Sequence, residues 1–272
     1  MTIVARVNYA CLSLIVIYLI LTGVTSARIA PEAIVGVWLF DEGSGNKAQD
    51  FSGKSSDGTL MNNPNWIEGK FGKALKFDGK DDYVQISLPG VFNDIENNDF
   101  TILFWTNVVD ISGSGTIWKR LMEARYDNSN YVQVSIQINN GELGINVIDS
   151  GIERTFMVDA PISADTWYHV AGVWDASADS VKLYLDGVLQ STTGTTPASP
   201  GNQKILNLGR RSDGIDLSHF NGTIDEFGIF NVALTLDAIL SIMAKGLKSE
   251  AAVFPSGKLT TTWASIKLLE TF

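Results

Sequence analysis

The sequence predicts an all-β protein built as two packed antiparallel sheets, with one short helix toward its C-terminal side. Three observations predict it. Short runs of alternating apolar and polar residues recur about every 8–15 residues, with Gly, Asn, Asp, Ser and Pro between them. No long helical pattern separates these runs, which disfavours a parallel sheet with crossover helices. The 272 residues are 45% hydrophobic, enough to fill one sandwich core, and a sandwich of this length is commonly one domain.

The runs, in order, are AIVGVWLF (33–40), KALKF (73–77), DYVQISL (82–88), FTILFWTNV (100–108), TIWKRLMEA (116–124), YVQVSIQI (131–138), ELGINVI (142–148), RTFMV (154–158), WYHVAGVWD (167–175), SVKLYLDG (180–187), KILNLGR (204–210) and GTIDEFGIF (222–230). The second and third are joined through Asp78-Gly79-Lys80-Asp81, a hairpin signal. Leu75, Phe77, Tyr83 and Val84 of that hairpin are assigned to the core. FTILFWTNV and WYHVAGVWD alternate as central strands, so one of Phe104 and Trp105, and one of Tyr168 and Trp174, is expected to be almost fully buried. The helix follows Thr235, a good N-cap. Leu236, Ile239, Leu240 and Met243 lie at helical spacing and Gly246 ends it. It is expected to plug one end of the sandwich.

Lys and Arg total 20 against 30 Asp and Glu, a net charge of −10. Nucleic acid and anionic membrane surfaces need concentrated positive charge, so neither is expected as the main partner. Residues 1–27 read as a secretory signal. Arg6 precedes a largely apolar run from Tyr9 to Val24, and Thr25-Ser26-Ala27 closes it with small residues. Cleavage after Ser26 or Ala27 is expected; the alternative is an uncleaved membrane anchor, since the run approaches the length of a span. Either way the bulk of the chain is expected outside the cytoplasm, secreted or at the cell surface. The one cysteine, Cys11, lies in this segment, so the remainder has no disulfide and no thiolate metal site.

Six stretches in a fixed order carry a resemblance: VWLFDEGSGNKAQDFSGKSSDGTL, GKALKFDGKDDYVQI, FTILFWTNV, WYHVAGVWD, VKLYLDGVL and TIDEFGIFNVALT. Together they resemble the laminin-G-like, concanavalin A-like jelly rolls, in a bacterial subgroup similar to pentraxins. The resemblance covers residues 33–247 and leaves 248–272 as a C-terminal tail, with Pro255-Ser256-Gly257 before a Thr-rich run. It implies a jelly-roll sandwich and an extracellular binding role.

Enzymes share this fold, so catalysis is tested first. Jelly-roll glucanases place their carboxylates on alternate positions of one strand, as E-x-D-x-x-E, so that all face one groove. No such run occurs; Asp225 and Glu226 are adjacent and point to opposite faces of a regular strand, and Glu123 has no acidic partner two positions away. His169 and His219 sit in no hydrolase motif, and His169 reads as a structural strand residue. The chain is read as no enzyme.

Calcium is the candidate cofactor, because hard cations take Asp and Asn side chains and loop carbonyls. The pentraxin resemblance implies a ligand-binding calcium site at Asp127-Asn128 and Asp213, with Arg210-Arg211 standing where the family carries an acid. The alternative for Asp127-Asn128 is a turn before the next strand. A structural calcium at Asp225, with carbonyls near Asp50–Gly53, is a second implied site; the alternative is that Asp225 accepts backbone hydrogen bonds. Sugar binding needs an aromatic platform and planar polar groups. Arg125, Tyr126, Asn130, Arg210 and Arg211 are the ligand-binding candidates, with Trp118, Asn128 and Tyr131 nearby and Trp66 open to either use. Arg210-Arg211 in particular offers fixed donors for a carboxylate or sulfate on an acidic polysaccharide. The expected function is a non-catalytic module that recognises extracellular carbohydrate, the alternative a protein–protein adhesion or structural module that binds a surface protein.

Overall fold

The computed structural model describes residues 29–88, 99–109, 111, 118–137, 141–149, 152–157, 162–193, 205–212 and 218–251. The expected signal segment and Asp213 lie outside the described residues, as does the tail beyond residue 251. After a 3₁₀ turn at Pro31–Ala33, the chain forms β1 (Ile34–Trp38), β2 (Lys47–Ala48), β3 (Gly58–Met61), β4 (Asn65–Glu68), β5 (Lys73–Asp78) and β6 (Tyr83–Ser87). Then come β7 (Phe100–Val108), β8 (Trp118–Asp127), β9 (Asn130–Gln137), β10 (Leu143–Asp149), β11 (Ile152–Met157) and β12 (Trp167–Asp175). Last are β13 (Ser180–Leu185), β14 (Val188–Thr193), β15 (Ile205–Leu208), β16 (Asn221–Phe230), α1 (Leu236–Lys245) and α2 (Leu247–Ala251).

Each expected run overlaps one of these strands. The sequence reading missed β2, β3, β4 and β14, which are short or polar. A signal for β14 exists: Asp186-Gly187 takes positive φ at both residues, 49° and 75°, the geometry of a tight hairpin turn between β13 and β14.

The strands form two eight-stranded antiparallel sheets. The first has the order β14-β13-β12-β7-β16-β5-β4, and the second β11-β10-β9-β8-β15-β6-β3-β2. β16 pairs with β5 through its first half and with β1 through its second, and a bulge lies between Asp225 and Gly228. Between the sheets sits the main core, with Phe104, Trp174 and Phe227 from the first and Val84, Met122 and Val134 from the second. Trp174 is 0% exposed, as the strand reading expects, whereas Phe104 and Trp105 are both buried, at 1% and 6%, where alternation expected one of them.

A second apolar cluster covers the outer face of the first sheet. There Leu103, Ala171 and Val173 meet Ala238, Ile239 and Ile242 of α1, and Leu247 of α2. The helix therefore packs over the outer face of this sheet, where the sequence reading expected it to plug an end of the sandwich. Its buried face is also turned from the expected one, for Leu236 and Leu240 are exposed. Being covered on both sides explains why β7 is buried at every position except Asn107. The second sheet has one face on the core, and its other face is polar.

Candidate functional site

Cross-strand partners in register share a face of a sheet. On the second sheet, Thr59, Gln85, Asn207, Glu123, Gln133 and Asn146 stand opposite one another across β3, β6, β15, β8, β9 and β10. Their neighbours along the strands, among them Val84, Leu206, Met122 and Val132, point into the core. The row therefore lies on the outer face. Yet Glu123, Asn207, Gln133 and Asn146 are buried, and among the described residues Gln133 Oε1 and Asn207 Oδ1 accept no hydrogen bond.

Charge gathers at the centre of this row. Arg125 grips Glu123 with two hydrogen bonds, Nε to Oε1 at 2.9 Å and Nη2 to Oε2 at 3.1 Å. Its guanidinium also stacks on the Tyr131 ring, 4.0 Å from the centroid. The backbone N–H of Ser212 donates to Glu123 Oε1 at 2.8 Å, and Asn207 Nδ2 donates to Ser212 Oγ at 2.9 Å. Arg120 approaches the same carboxylate, Nε to Oε2 at 3.8 Å. A β-bulge between Arg120 and Met122 makes this approach possible. It turns both Leu121 and Met122 into the core and leaves Arg120 and Glu123 together outside. Burial holds the Arg120 guanidinium below its usual pKa, Glu123 opposing this and the charges of Arg211 and Arg125 adding to it.

Tyr83 belongs to this face and not to the core. Arg210 stacks on its ring at 4.4 Å and spends its Nε on the Arg211 carbonyl at 2.8 Å. Gly209, at φ 94°, lets the chain turn there against Phe77. The structure thus brings Arg125, Arg210 and Arg211 to one region, with Arg125 and Arg210 each stacked on a tyrosine. Asn130 sits in the β8–β9 turn, where its Nδ2 donates to both oxygens of Asp127, at 2.9 and 3.0 Å. The side chain of Tyr126 lies outside the described residues. Of the tryptophans, Trp38 and Trp174 are core; Trp66 is half-buried and donates to the Gly45 carbonyl.

The carboxylates expected to hold metal have other partners. Asp127 Oδ1 also accepts from Ser129 N at 2.7 Å, and Asn128 Oδ1 faces Arg125 Nη1 at 3.4 Å. This is the geometry of the turn alternative, with a guanidinium beside the oxygens. Asp225 Oδ2 accepts from Lys70 N and Phe71 N at 2.8 and 3.0 Å. The β16 bulge, with Glu226 at φ 53°, overrides the alternation expected there: Glu226 turns to accept from Leu247 N, so both carboxyls lie on the helix-covered side. Burial pushes Asp225 up to about 8 and Glu226 up to about 7. His169, in register with Trp105 on the same face, is 1% exposed and held down to about 4 by burial, a neutral strand residue as read.

A carboxylate group not singled out for metal is Asp78, Asp81 and Asp82 in the β5–β6 turn, whose oxygens lie within 4.8 Å of one another. Three carboxylates suit a hard cation. Two of them also order the turn: Asp78 Oδ1 accepts from Lys80 N, and buried Asp82 accepts from Asp78 N. Burial raises Asp82 to about 6. The residues sequence reasoning missed at the polar face are Arg120, Gln133, Asn207 and the pairing role of Glu123. Period-2 counting from Tyr131 and Leu206 would have placed Gln133 and Asn207 outside; no pattern announces the bulge.

A sequence profile described as the concanavalin A-like lectin/glucanases superfamily matches residues 78–240. No curated protein matches the chain. Among solved structures, the chain is similar to domain 4 of AbnA, a GH43 extracellular arabinanase from Geobacillus stearothermophilus, solved in complex with arabinotriose. Identity is 20% and the TM-score 0.62, over 77% of this chain and 98% of that one. The binding domain of botulinum neurotoxin serotype D is 17% identical with a TM-score of 0.63, over 79% of this chain but only 52% of the toxin domain. At these identities the likeness concerns the fold alone.

Proposed function

The chain belongs to the concanavalin A-like lectin/glucanases superfamily, and on that premise we propose that it is a non-catalytic, extracytoplasmic module that binds carbohydrate on the polar outer face of its second sheet. The observation that carries this is the row of buried side-chain amides whose acceptors, Gln133 Oε1 and Asn207 Oδ1, have no partner among the described residues. Buried polar groups are nearly always paired, so unfilled ones favour an external partner. A sugar's rim of hydroxyls supplies such donors, and its C–H face suits the rings of Tyr83 and Tyr131. In this reading Arg125 and Arg210 hold those rings in place, Arg211 adds charge, and Tyr126 and Asn130 belong to the hairpin end beside Tyr131.

Glu123 is taken as structural and not catalytic, since Arg125 and the Ser212 amide occupy its oxygens. Calcium has no role at the β8–β9 turn in this reading, because Asp127 is spent on Ser129 and Asn130. An extracytoplasmic location is supported by the pattern of residues 1–27 and by the extracellular arabinanase whose domain shares the fold. The test is titration calorimetry of the protein against a panel of plant, bacterial and matrix oligosaccharides, with Gln133→Leu and Asn207→Leu as variants. A bound saccharide whose affinity drops about tenfold or more in both folded variants, one or two lost hydrogen bonds, supports the proposal. Silence across the panel overturns it in favour of a protein–protein adhesion module, and variants that bind unchanged overturn the assignment to this face.

A further inference from the structure

We infer that the saccharide taken by this face is acidic, with a ring carboxylate seated at the guanidinium of Arg120; the inference rests on the carbohydrate reading above and names the class of sugar. Arg120 and Arg125 converge on the one carboxylate of Glu123, but only Arg125 is satisfied by it. Glu123 Oε1 takes Arg125 Nε and the Ser212 amide, and Oε2 takes Arg125 Nη2. Arg120 stands 3.8 Å off, beyond hydrogen-bond reach. Its one hydrogen bond among the described residues runs from Nη1 to the Trp118 carbonyl at 3.2 Å. Nε is enclosed and makes none, in a residue 7% exposed.

A buried guanidinium whose enclosed Nε makes no hydrogen bond is unfavourable as it stands, because its desolvation is only partly offset by the Glu123 charge. A planar carboxylate is the partner that fits such a fork. The surroundings point the same way. Burial is what chiefly disfavours the Arg120 charge, with Arg211 and Arg125 adding to it against Glu123, so three guanidiniums gather around one carboxylate in a chain whose net charge is −10. Local charge of the opposite sign to the whole draws an anion to this spot and not to the remaining surface. On either side of Glu123 in register stand Gln133 and Asn207, whose idle oxygens accept from donors. An anion alone offers no donors; a neutral sugar leaves Arg120 unfilled. A uronic acid has hydroxyls and a carboxylate on one ring and meets both demands.

The test compares a uronic-acid oligosaccharide with the same oligosaccharide carboxyl-reduced to primary alcohols, and with a sulfated neutral chain of equal length. The wild-type protein is expected to bind the uronate about tenfold or more tighter than the reduced form, with the preference shrinking as salt is raised. Folded Arg120→Gln is expected to lose the preference, binding the uronate and the reduced form alike. Since Arg120 is buried, its folding is checked by melting, and the wild-type comparison needs no variant. Equal affinity for the uronate and its reduced form overturns the inference and leaves the carbohydrate reading standing. Preference for the sulfated chain over the uronate overturns it too. Silence toward all three ligands and the wider panel removes the carbohydrate reading itself.

Discussion

Arg120 and Glu123 stand three residues apart on one strand, yet their side chains meet on the same face, Nε 3.8 Å from Oε2. Together with Arg125 they form a charged knot with side chains 7–8% exposed on the arginines and 0% on Glu123. Removing the carboxylate leaves two guanidiniums without their counter-charge. Glu123→Gln is expected to destabilise the fold by about 3–5 kcal/mol, the usual result of breaking a buried pair. Adding Arg125→Met should recover part of the loss. A denaturant double-mutant cycle measures this, and strictly additive effects would contradict the pairing.

Trp174 is fully buried and packs on Phe100 with ring centroids 5.3 Å apart. Trp174→Ala is expected to destabilise by about 3–5 kcal/mol in urea melts. A loss below about 1 kcal/mol would show that the site collapses around the missing ring.

The stability of the fold is expected to fall as pH rises from about 6.5 to 8. Asp225 and Glu226 have folded pKa values near 8 and 7, above their usual 3.8 and 4.5. The folded state therefore holds protons that the unfolded chain has released, and this advantage is lost as pH climbs through the folded values. His169, held down to about 4, is neutral when folded across this window. Below 6.5 it acts in the opposite sense, since only the unfolded chain then gains its proton. Asp225→Asn keeps an oxygen for the Lys70 and Phe71 amides and should flatten the alkaline side of the profile, read by thermal melts across pH. An unchanged slope would sink the assignment.

Gly209→Ala is expected to destabilise by about 1–3 kcal/mol and to weaken saccharide binding. The residue has φ 94°, and a Cβ there would lie 2.7 Å from the buried Phe77 ring. The shift would displace Arg210 from Tyr83. Normal stability in melts would show that the turn relaxes freely.

Chelator is expected to leave saccharide affinity unchanged at the β8–β9 turn, because Ser129 and Asn130 already occupy Asp127. Calorimetry with and without EDTA checks it, and calcium-dependent binding lost in Asp127→Ala would overturn it.

The strands were legible because each central run had its own alternation and punctuation; FTILFWTNV and WYHVAGVWD match β7 and β12 end to end. The hairpin turn at Asp186-Gly187 was equally present in the sequence, although β14 after it, VLQSTT, carried too weak an apolar pattern. Bulges were not legible. One places Arg120 beside Glu123 and another turns Glu226 toward Leu247, and each reverses the face that period-2 counting assigns. The helix contact was missed for a related reason: helical spacing marks an apolar stripe, but Ala238 and Ile242 became its centre only once α1 met Leu103 and Val173. Tyr83 was assigned to the core because aromatic strand residues usually are, whereas Arg210, distant in sequence, holds its ring on the outside.

β1 and α2 both settle at the second half of β16: Ile34 by strand pairing, Leu247 through its amide on Glu226, and both residues join the apolar cluster over the outer face of the first sheet. The polar row lies on the far side of the sandwich. A domain held by either flank of its chain is thus gripped from behind, and the arginines and amides look away from whatever holds it.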